Sequence, residues 1–533
     1  MGRTLVLLSL LAIPGVALAH DFVDTRLNFT LTDENVLVKP GETNPSVPGV
    51  RIDRPNRFGI LFFENYDTRF SGYENLTHLV LYKRITRKRF EAEASLVFRF
   101  LEFSDVTLSS IDDGTYIKLT YYTDKSRTKN DNISLTAFPL SADRLRLGYS
   151  YRLSWGGSPI FFKYNPDLPT TAQVPVNSAP APGARLQYAT DRFGIWGGFK
   201  TSTLLNRNPQ VNELVAIYGV LGGVLVDIVK DHLRFEANGG YFDRGTNPLF
   251  YSTQDVSGGK PYKDFPVFTT GASFQLSLFN GISPTGSLDY ALYKNDPTSS
   301  LRFFAKPIYK PGFNWLAQAE FTVLATGLQN PDKVSSSILQ RAIAGDVNLR
   351  GQVGHLRLKA DASYRSLEFI LLNQPSLVPY QAFPTGSVVR GDFFADIGFD
   401  YFFQRKGLTI GAIVGIDSPA TFTPPTIVNG QGYCPRTGGS TCTSATIVVR
   451  GEGDYSILPE RDSQGRRVDA VPSFASKFTL REDFLEYFAA ILDVYYSYDA
   501  NQTRLTKDSQ GNQIRDFNHP NQLGFNLTLQ ARF

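Results

Sequence analysis

The sequence is poor in three features that usually decide a protein's class: sulfur-containing residues, long apolar runs and charge of one sign. Of its 533 residues, two are Cys and one is Met, which excludes a disulfide-rich scaffold or a Cys-based metal cluster. No stretch after residue 20 is apolar for long enough to form a membrane-spanning helix. The net charge of +4 gives no reason to expect a nucleic-acid partner.

Aromatic residues are abundant instead. Phe occurs 41 times and Tyr 26 times, and aromatic side chains make up 13% of the chain. Such a share argues against disorder and against a helical bundle, which favours Leu, Ala, Glu and Lys. The question is therefore which fold a long, nearly neutral chain builds from Phe and Tyr without apolar helices.

Residues 1–19 have the composition of a secretory signal peptide. Arg3 supplies the positive start, residues 5–13 form a short apolar core, and residues 17–19 read Ala-Leu-Ala, a typical cleavage site. We therefore expect residues 1–19 to be removed on export and residues 20–533 to form the mature chain as a single domain.

The two cysteines lie close together in a Gly-rich segment. Cys434 and Cys442 belong to an exported chain, and exported proteins form and keep disulfides. The spacing predicts one disulfide between them that staples a surface loop.

Several stretches of the mature chain alternate strictly between apolar and polar residues. Because successive side chains of a strand point to opposite faces, such a pattern predicts strands with one apolar and one polar face. The clearest stretches span residues 90–100, 145–155, 233–241, 315–323, 356–364 and 393–401.

These runs are long for strands of soluble proteins, which average five or six residues. Their length matches a tilted crossing of a membrane, and their apolar faces end in aromatic residues such as Trp155, Tyr241, Tyr364 and Tyr401, as interfacial girdles do. An open sheet edge is not possible in lipid. The predicted fold is therefore all-β, a transmembrane antiparallel up-and-down β-barrel.

Short and long connections alternate between the predicted strands, which is the pattern of outer-membrane barrels. The spacing predicts 18 to 22 strands, an even number because both termini should lie on one side. Short turns are predicted at 141–143, 190–191, 230–231, 281–282, 404–406 and 482–483. Long loops are predicted at 33–56, 156–182, 243–265, 365–390, 418–470 and 499–520.

The C-terminal end keeps the alternation to the last residue. The apolar positions are Leu523, Phe525, Leu527, Leu529, Ala531 and Phe533. This ending resembles the recognition signal of Gram-negative outer-membrane β-barrels, and the absence of room for a plug before the first strand makes the chain similar to large porin-like or export-channel barrels. The resemblance implies insertion into the outer membrane by the barrel-insertion machinery, which would read Phe525, Leu527, Leu529 and Phe533, and contact with outer-membrane lipid and lipopolysaccharide.

Charged residues follow the polar faces of the predicted strands and are candidates for the lumen wall. In one interpretation, opposed basic and acidic rows form a track for a charged or hydroxyl-rich solute. In the other, rows on neighbouring strands neutralise each other as a salt-bridge network that stiffens the wall. The candidate residues are Arg144, Arg146, Arg152, Arg234, Glu236, Arg357, Lys359, Asp361, Asp392, Asp396 and Asp400.

We expect no enzyme activity, metal or cofactor. Residues four positions apart on a strand are separated by about 13 Å. Asp392 and Asp396 are therefore too far apart to flank one glycosidic bond. No spaced set of His and Cys suggests zinc.

Two functions remain open. The first is a channel for hydrophilic solutes, among which saccharide or polysaccharide chains are candidates. The second is a barrel without transport activity that anchors an envelope complex, such as adhesion or motility machinery, and binds periplasmic or surface proteins. The apolar stretch 367–383 fits a constriction of the barrel mouth, a docking site, or a segment packed on neighbouring loops.

The terminal residue offers a direct test. We expect Phe533→Ser to lower the amount of folded barrel in the outer membrane, because the terminal aromatic residue is part of the assembly signal that the ending resembles. The measurement is the heat-modifiable band in isolated outer membranes. Normal levels of that band in the variant would contradict this interpretation of the terminus.

Overall fold

The structure is a computed structural model. It describes residues 22–33, 35–38, 51–53, 61–64, 77–104, 107–112, 114–124, 131–140, 145–150, 182–205, 214–247, 265–286, 309–330, 336–372, 382–425, 427–428, 431–432, 445–449, 455–459, 468–485, 488–507, 511 and 513–532. The signal peptide 1–19, Arg144, Arg152, the Cys434–Cys442 pair and Phe533 lie outside the described residues, so the statements made about them above stay predictions.

The described chain is almost entirely β-strand. In chain order the strands are β1 (Phe22–Asp33), β2 (Arg51–Asp53), β3 (His78–Arg87), β4 (Phe90–Ser104), β5 (Thr107–Asp112), β6 (Tyr116–Tyr122), β7 (Asn132–Phe138), β8 (Gly183–Ala189), β9 (Phe193–Leu205), β10 (Leu214–Val229), β11 (Leu233–Asn247), β12 (Phe265–Asn280), β13 (Lys310–Gln329), β14 (Ser337–Gly354), β15 (Leu356–Arg365), β16 (Val388–Arg390), β17 (Asp392–Phe403), β18 (Leu408–Ser418), β19 (Ala420–Thr423), β20 (Ile427–Val428), β21 (Gln431–Gly432), β22 (Ile447–Val449), β23 (Tyr455–Ile457), β24 (Ser473–Asp483), β25 (Phe488–Tyr498), β26 (Thr503–Lys507), β27 (Gln513–Phe517) and β28 (Asn521–Arg532). The described part also contains the helix α1 (Leu367–Leu372) and a 3₁₀ turn at Gln404–Lys406.

Eighteen strand positions form one closed antiparallel ring. Strand β1 pairs with β3 on one side and with β28 on the other, which joins the two ends of the sheet. β5 and β6 pair with successive parts of β4, so together they count as one position of the ring. β2 and β3 do the same along β1. The result confirms the predicted all-β antiparallel barrel and its even strand number. The order around the ring is β1, β3, β4, β6, β7, β8, β9, β10, β11, β12, β13, β14, β15, β17, β18, β24, β25 and β28.

Both ends of the described chain lie at one rim, because Arg26 in β1 pairs with Arg532 in β28. We call this the terminal rim and the opposite one the loop rim. Short turns at the terminal rim join β3 to β4, β8 to β9, β10 to β11, and β17 to β18. The predicted short turn at 281–282 is wrong, since β12 ends at Asn280 and β13 begins only at Lys310.

The two faces of the barrel differ sharply. In β17, outward-facing Ile397 is 61% exposed and its inward-facing neighbour Asp396 only 2%. In β28, the predicted assembly residues Leu527 and Leu529 face outward and are 41% and 55% exposed. An exposed apolar surface this extensive requires an apolar environment, which lipid supplies. No helix in the described part of the chain is long and apolar enough to cross a membrane.

The loop rim carries its own small elements. Strands β16, β19, β22 and β23 form a four-stranded sheet, and β26 and β27 form a hairpin. Leu367 and Ile370 of α1 pack on Ala420 of this sheet. The start of the apolar stretch 367–383 therefore packs on neighbouring loop elements.

The strand predicted at 145–155 is wrong for its described part. Residues 145–150 form bends and turns, and Gly148 has a φ of +76°, a left-handed conformation that interrupts an extended chain. Leu145, Leu147 and Tyr149 are buried instead of exposed to lipid. Alternation arises here because the segment packs against apolar residues inside the barrel.

Candidate functional site in the barrel lumen

The acidic residues of β17 pair with the basic residues of the neighbouring strand β15. Arg357 forms an ion pair with Asp400, which lies directly opposite it on the neighbouring strand. The Lys359 ammonium lies 3.1 Å from a carboxylate oxygen of Asp361 and 2.8 Å from one of Asp396. All five side chains are buried, so these groups are held by one another in place of water.

The same ladder continues to the loop rim. Arg365 forms an ion pair with Asp392, its register partner. Asn348 of β14 donates a hydrogen bond of 2.6 Å to Asp361. The acidic row is thus neutralised by β15, which favours the salt-bridge network over an open charged track for this part of the wall.

Arg146, a predicted basic partner of the acidic row, does not lie on the barrel wall. Arg146 does not lie on a strand face, because residues 145–150 form no strand; its side chain is 2% exposed inside the barrel. Of the expected basic row, Arg146 is therefore not on a strand, while Arg144 and Arg152 lie outside the described residues. A two-residue period identifies an apolar and a polar side of a segment, whereas the surface that each side meets depends on the whole barrel.

Arg234 and Glu236 of β11 lie on the face of the strand that carries its buried residues, and both are held by neighbours. Arg234 forms an ion pair of 2.6 Å with Asp227 and lies 5.9 Å from the ring centre of Phe279. Glu236 is 1% exposed and accepts a hydrogen bond of 2.7 Å from Asn238.

A second group of lumen charges keeps partial contact with solvent. Arg84, Glu93 and Lys118 lie opposite one another across β3, β4 and β6, and all three are half-buried. Arg84 also contacts Glu91 at 2.5 Å. This wall presents charges of both signs to the lumen.

Chain segments enter the lumen at three described places. The first lumen segment is residues 61–64, from the loop between β2 and β3. Its Leu61 and Phe63 are 2% and 0% exposed and pack on Ile413, Ala475 and Tyr495, which face inward from β18, β24 and β25. An apolar contact therefore fixes this segment against the wall.

A salt bridge holds the end of the first lumen segment. The Lys477 ammonium of β24 lies 3.0 Å from a carboxylate oxygen of Glu64 and 3.7 Å from one of Asp493. Both partners are buried, so the contact is shielded from solvent.

The second lumen segment is residues 145–150. Leu145 and Leu147 belong to an apolar cluster that extends across the barrel interior from β6 to β14. The helix α1 contributes Phe369 to this cluster and so links the segment to the loop-rim sheet. The other members are Tyr116, Phe138, Trp196, Leu221, Phe242, Leu324, Ala342 and Ala344.

A carboxylate of the barrel wall holds the second lumen segment. Glu320 of β13 accepts backbone hydrogen bonds from Tyr149 at 3.0 Å and Ser150 at 2.8 Å, and a hydroxyl hydrogen bond from Ser273 at 2.8 Å. It is 3% exposed. A Cβ at Gly148 would lie 2.3 Å from Glu320 Oε1, so only glycine lets the backbone approach this closely.

The third lumen segment is residues 282–286, which enter from the terminal rim. Ile282 packs on Phe279 and Leu316. The carbonyl oxygen of Thr285 accepts hydrogen bonds from Gln275 at 3.2 Å and Gln318 at 3.0 Å.

Sequence reasoning missed Glu320, Lys477 and the first and third lumen segments. A single polar residue on a strand's inward face carries no signal of its partner, so Glu320 and Lys477 are not recognisable in one sequence. Residues 60–63 read Ile-Leu-Phe-Phe, and this apolar run is a usable signal for an in-folded segment.

Within the described residues, no group of three or more His, Cys, Asp or Glu side chains is arranged to hold a metal ion.

No protein-family model and no curated protein matches the sequence. Among solved structures, the fold is similar to OccK2 (OpdF) of Pseudomonas aeruginosa in complex with glucuronate, at 9% identity and a TM-score of 0.40 over 97% of this chain and 98% of that one. It is also similar to OpdK of Pseudomonas aeruginosa with vanillate, at 8% identity and a TM-score of 0.38 over 96% and 98% of the two chains. OmpT, an outer membrane protein of Vibrio cholerae, is 8% identical, with a TM-score of 0.32 over 98% and 100% of the two chains. The assignment of the barrel rests on the strand pairing described above.

The β15–β17 network gives a stability prediction. We expect Lys359→Met to lower the free energy of unfolding by about 3 kcal/mol, because the carboxylates of Asp361 and Asp396 stay buried without the ammonium that contacts both. Urea unfolding of the barrel in lipid vesicles, followed by Trp fluorescence, measures the change.

Two further variants calibrate that experiment. Lys406→Met, at an exposed turn of the terminal rim, should change the unfolding free energy by less than about 0.5 kcal/mol. The triple variant Lys359→Met, Asp361→Asn, Asp396→Asn removes the charges together and should recover part of the loss. A loss below about 1 kcal/mol for Lys359→Met alone would show that the network does not support the wall.

Proposed function

We propose that the protein is a channel of the Gram-negative outer membrane that passes small hydrophilic solutes through a lumen narrowed by its own chain. The observation that carries the proposal is the closed 18-position ring, which is apolar outside and carries charged side chains on its inner wall, with a chain segment held in its lumen by Glu320. A barrel of this size is wide enough to need such a restriction.

The direction of the barrel in the membrane follows from its rims. Outer-membrane barrels have short turns on the periplasmic side and long loops outside. The terminal rim carries both chain ends and most of the short turns, with residues 281–309 as a longer connection, and the loop rim carries the four-stranded sheet and α1. The terminal rim then faces the periplasm, in agreement with the predicted signal peptide.

The class of solute follows from the wall. Arg84, Glu93 and Lys118 offer half-buried charges of both signs, which suit neutral or zwitterionic polar solutes better than ions of one sign. Passage of a saccharide chain would require the lumen segments to move outward. Small solutes are therefore favoured over polysaccharide.

Glu320 acts as the latch of this channel, by which we mean the residue that holds the second lumen segment, 145–150, against the barrel wall. Hydrogen bonds to a charged group are each worth about 1.5–3 kcal/mol, and two backbone donors of the second lumen segment depend on this one carboxylate. Weakening them shifts the segment toward a released state.

Single-channel recording in planar bilayers tests the latch and the channel together. We expect wild type to show low conductance, and Glu320→Gln to raise the open probability by about tenfold, the effect of about 1.4 kcal/mol removed from the closed state. The amide keeps the size of the side chain and removes its charge, and heat modifiability verifies that the variant is folded.

Glu482→Gln is the matched control, since Glu482 is exposed and lies near the terminal rim. It should record like wild type. Silence of wild type, of Glu320→Gln and of a variant without residues 365–390 would overturn the channel proposal.

The alternative function is an anchor for an envelope complex. The four-stranded loop-rim sheet and the β26–β27 hairpin favour it, because they form a structured surface on the outer side, of the kind that surface partner proteins need. A folded barrel that stays silent in all three recordings would support this alternative.

A further inference from the structure

The outer face of the barrel has a gap in a row of aromatic residues. Four aromatic side chains, of Phe274, Phe321, Tyr364 and Phe393, lie in register across β12, β13, β15 and β17. The position between Phe321 and Tyr364 belongs to Gly345 of β14. A Cβ added at Gly345 would have no other atom within 4 Å, so the space is open.

The gap is part of a groove of about 460 Å³. Its floor includes the small residues Ala319, Gly345 and Ala362, and its walls include Leu276, Phe321 and Val347 and the other aromatic residues of the row. Pockets that bind small molecules have volumes of about 300–1,000 Å³. A lipid-facing groove of this size and character accommodates an apolar chain.

A single arginine lies on the same outward face. The outward positions of β14 from residue 339 to 353 are apolar or glycine except for Arg341, which is exposed. Among the described residues its side chain makes no hydrogen bond or ion pair. Arg341 lies four positions before Gly345, a distance of about 13 Å along the strand toward the loop rim.

The row of Arg341 differs from the row of Gly345. Its register neighbours are Ala325, Thr270 and Tyr241, so this row contains threonine and arginine, whereas the row of Gly345 contains three Phe and one Tyr. Such a change in polarity is typical of the boundary between lipid chains and head groups. The groove therefore lies at acyl-chain depth and Arg341 at head-group depth.

We propose that this groove is a binding site for a phosphate-bearing lipid. One acyl chain fills the gap at Gly345, and the phosphate accepts hydrogen bonds from the Arg341 guanidinium. A second copy of the chain fits less well, because a two-fold contact through this face would bring the two Arg341 side chains together. The proposal requires only that the outer face meets lipid and is independent of the channel function.

Native mass spectrometry of the full mature barrel in detergent tests the site. The probes are phosphatidylglycerol, diacylglycerol with the same acyl chains, and glycerol phosphate. We expect wild type to bind phosphatidylglycerol at least tenfold more tightly than diacylglycerol, and to bind no glycerol phosphate. Arg341→Gln should remove that preference, and Gly345→Phe should weaken both lipids about tenfold by filling the gap.

Matched variants separate the site from general effects of apolar area and charge. Leu349→Phe adds the same ring on β14 outside the groove, and Arg87→Gln removes one exposed positive charge at the terminal rim. Both should bind lipid like wild type, and heat modifiability verifies folding of all variants.

Three results would overturn the proposal. The first is equal binding of phosphatidylglycerol and diacylglycerol by wild type. The second is glycerol phosphate bound as tightly as the lipid, which would identify a phosphate site without the groove. The third is dimers without lipid adducts that disappear in Gly345→Phe, which would assign the groove to a second copy.

Discussion

Closure of the sheet is the constraint on which the rest of the molecule depends. In lipid, each backbone N–H and C=O group must find its partner within the protein, and the pairing of β1 with β28 provides this for the two strands that would otherwise be edges. Inward-facing polar groups strengthen the seam, with Thr30 and Thr528 hydroxyl oxygens 2.9 Å apart and a hydrogen bond of 3.0 Å from Gln530 to Asn28. Closure also assigns one face of every barrel strand to the lumen.

Once the inward face is set, its charges must be paired because little water reaches them. The β15–β17 register places Arg357 opposite Asp400 and Arg365 opposite Asp392, so the pairing is built into the sheet itself. Buried ion pairs of this kind stabilise little relative to apolar packing, but losing one partner is costly. The wall is therefore intolerant of single charge changes, while Arg84, Glu93 and Lys118 keep their partial contact with solvent.

The lumen is shaped as much by chain segments as by the wall. Segments 61–64 and 282–286 each combine a small apolar contact with polar contacts to inward-facing side chains, whereas 145–150 combines polar contacts with packing in the large interior cluster. These contacts lie outside the hydrogen-bonded ring of strands, so releasing a segment would leave the strand pairing in place. Glu320 is the clearest such contact because one buried carboxylate receives two backbone donors.

The sequence by itself determined the barrel, its even strand number and the faces of strands such as 315–323 and 393–401. In a strand that pairs on both sides, a two-residue period places the apolar side chains on one face of the sheet and the polar side chains on the other. It did not determine the fate of 145–155 or of 281–282, nor the partners of Glu320, Lys477 and the acidic row. Alternation identifies which side of a segment is apolar, whereas Trp196, Phe242 and Leu324, brought together only by closure, decide whether that side meets lipid or the interior. Those contacts join residues far apart in the chain, so only the tertiary structure decided them.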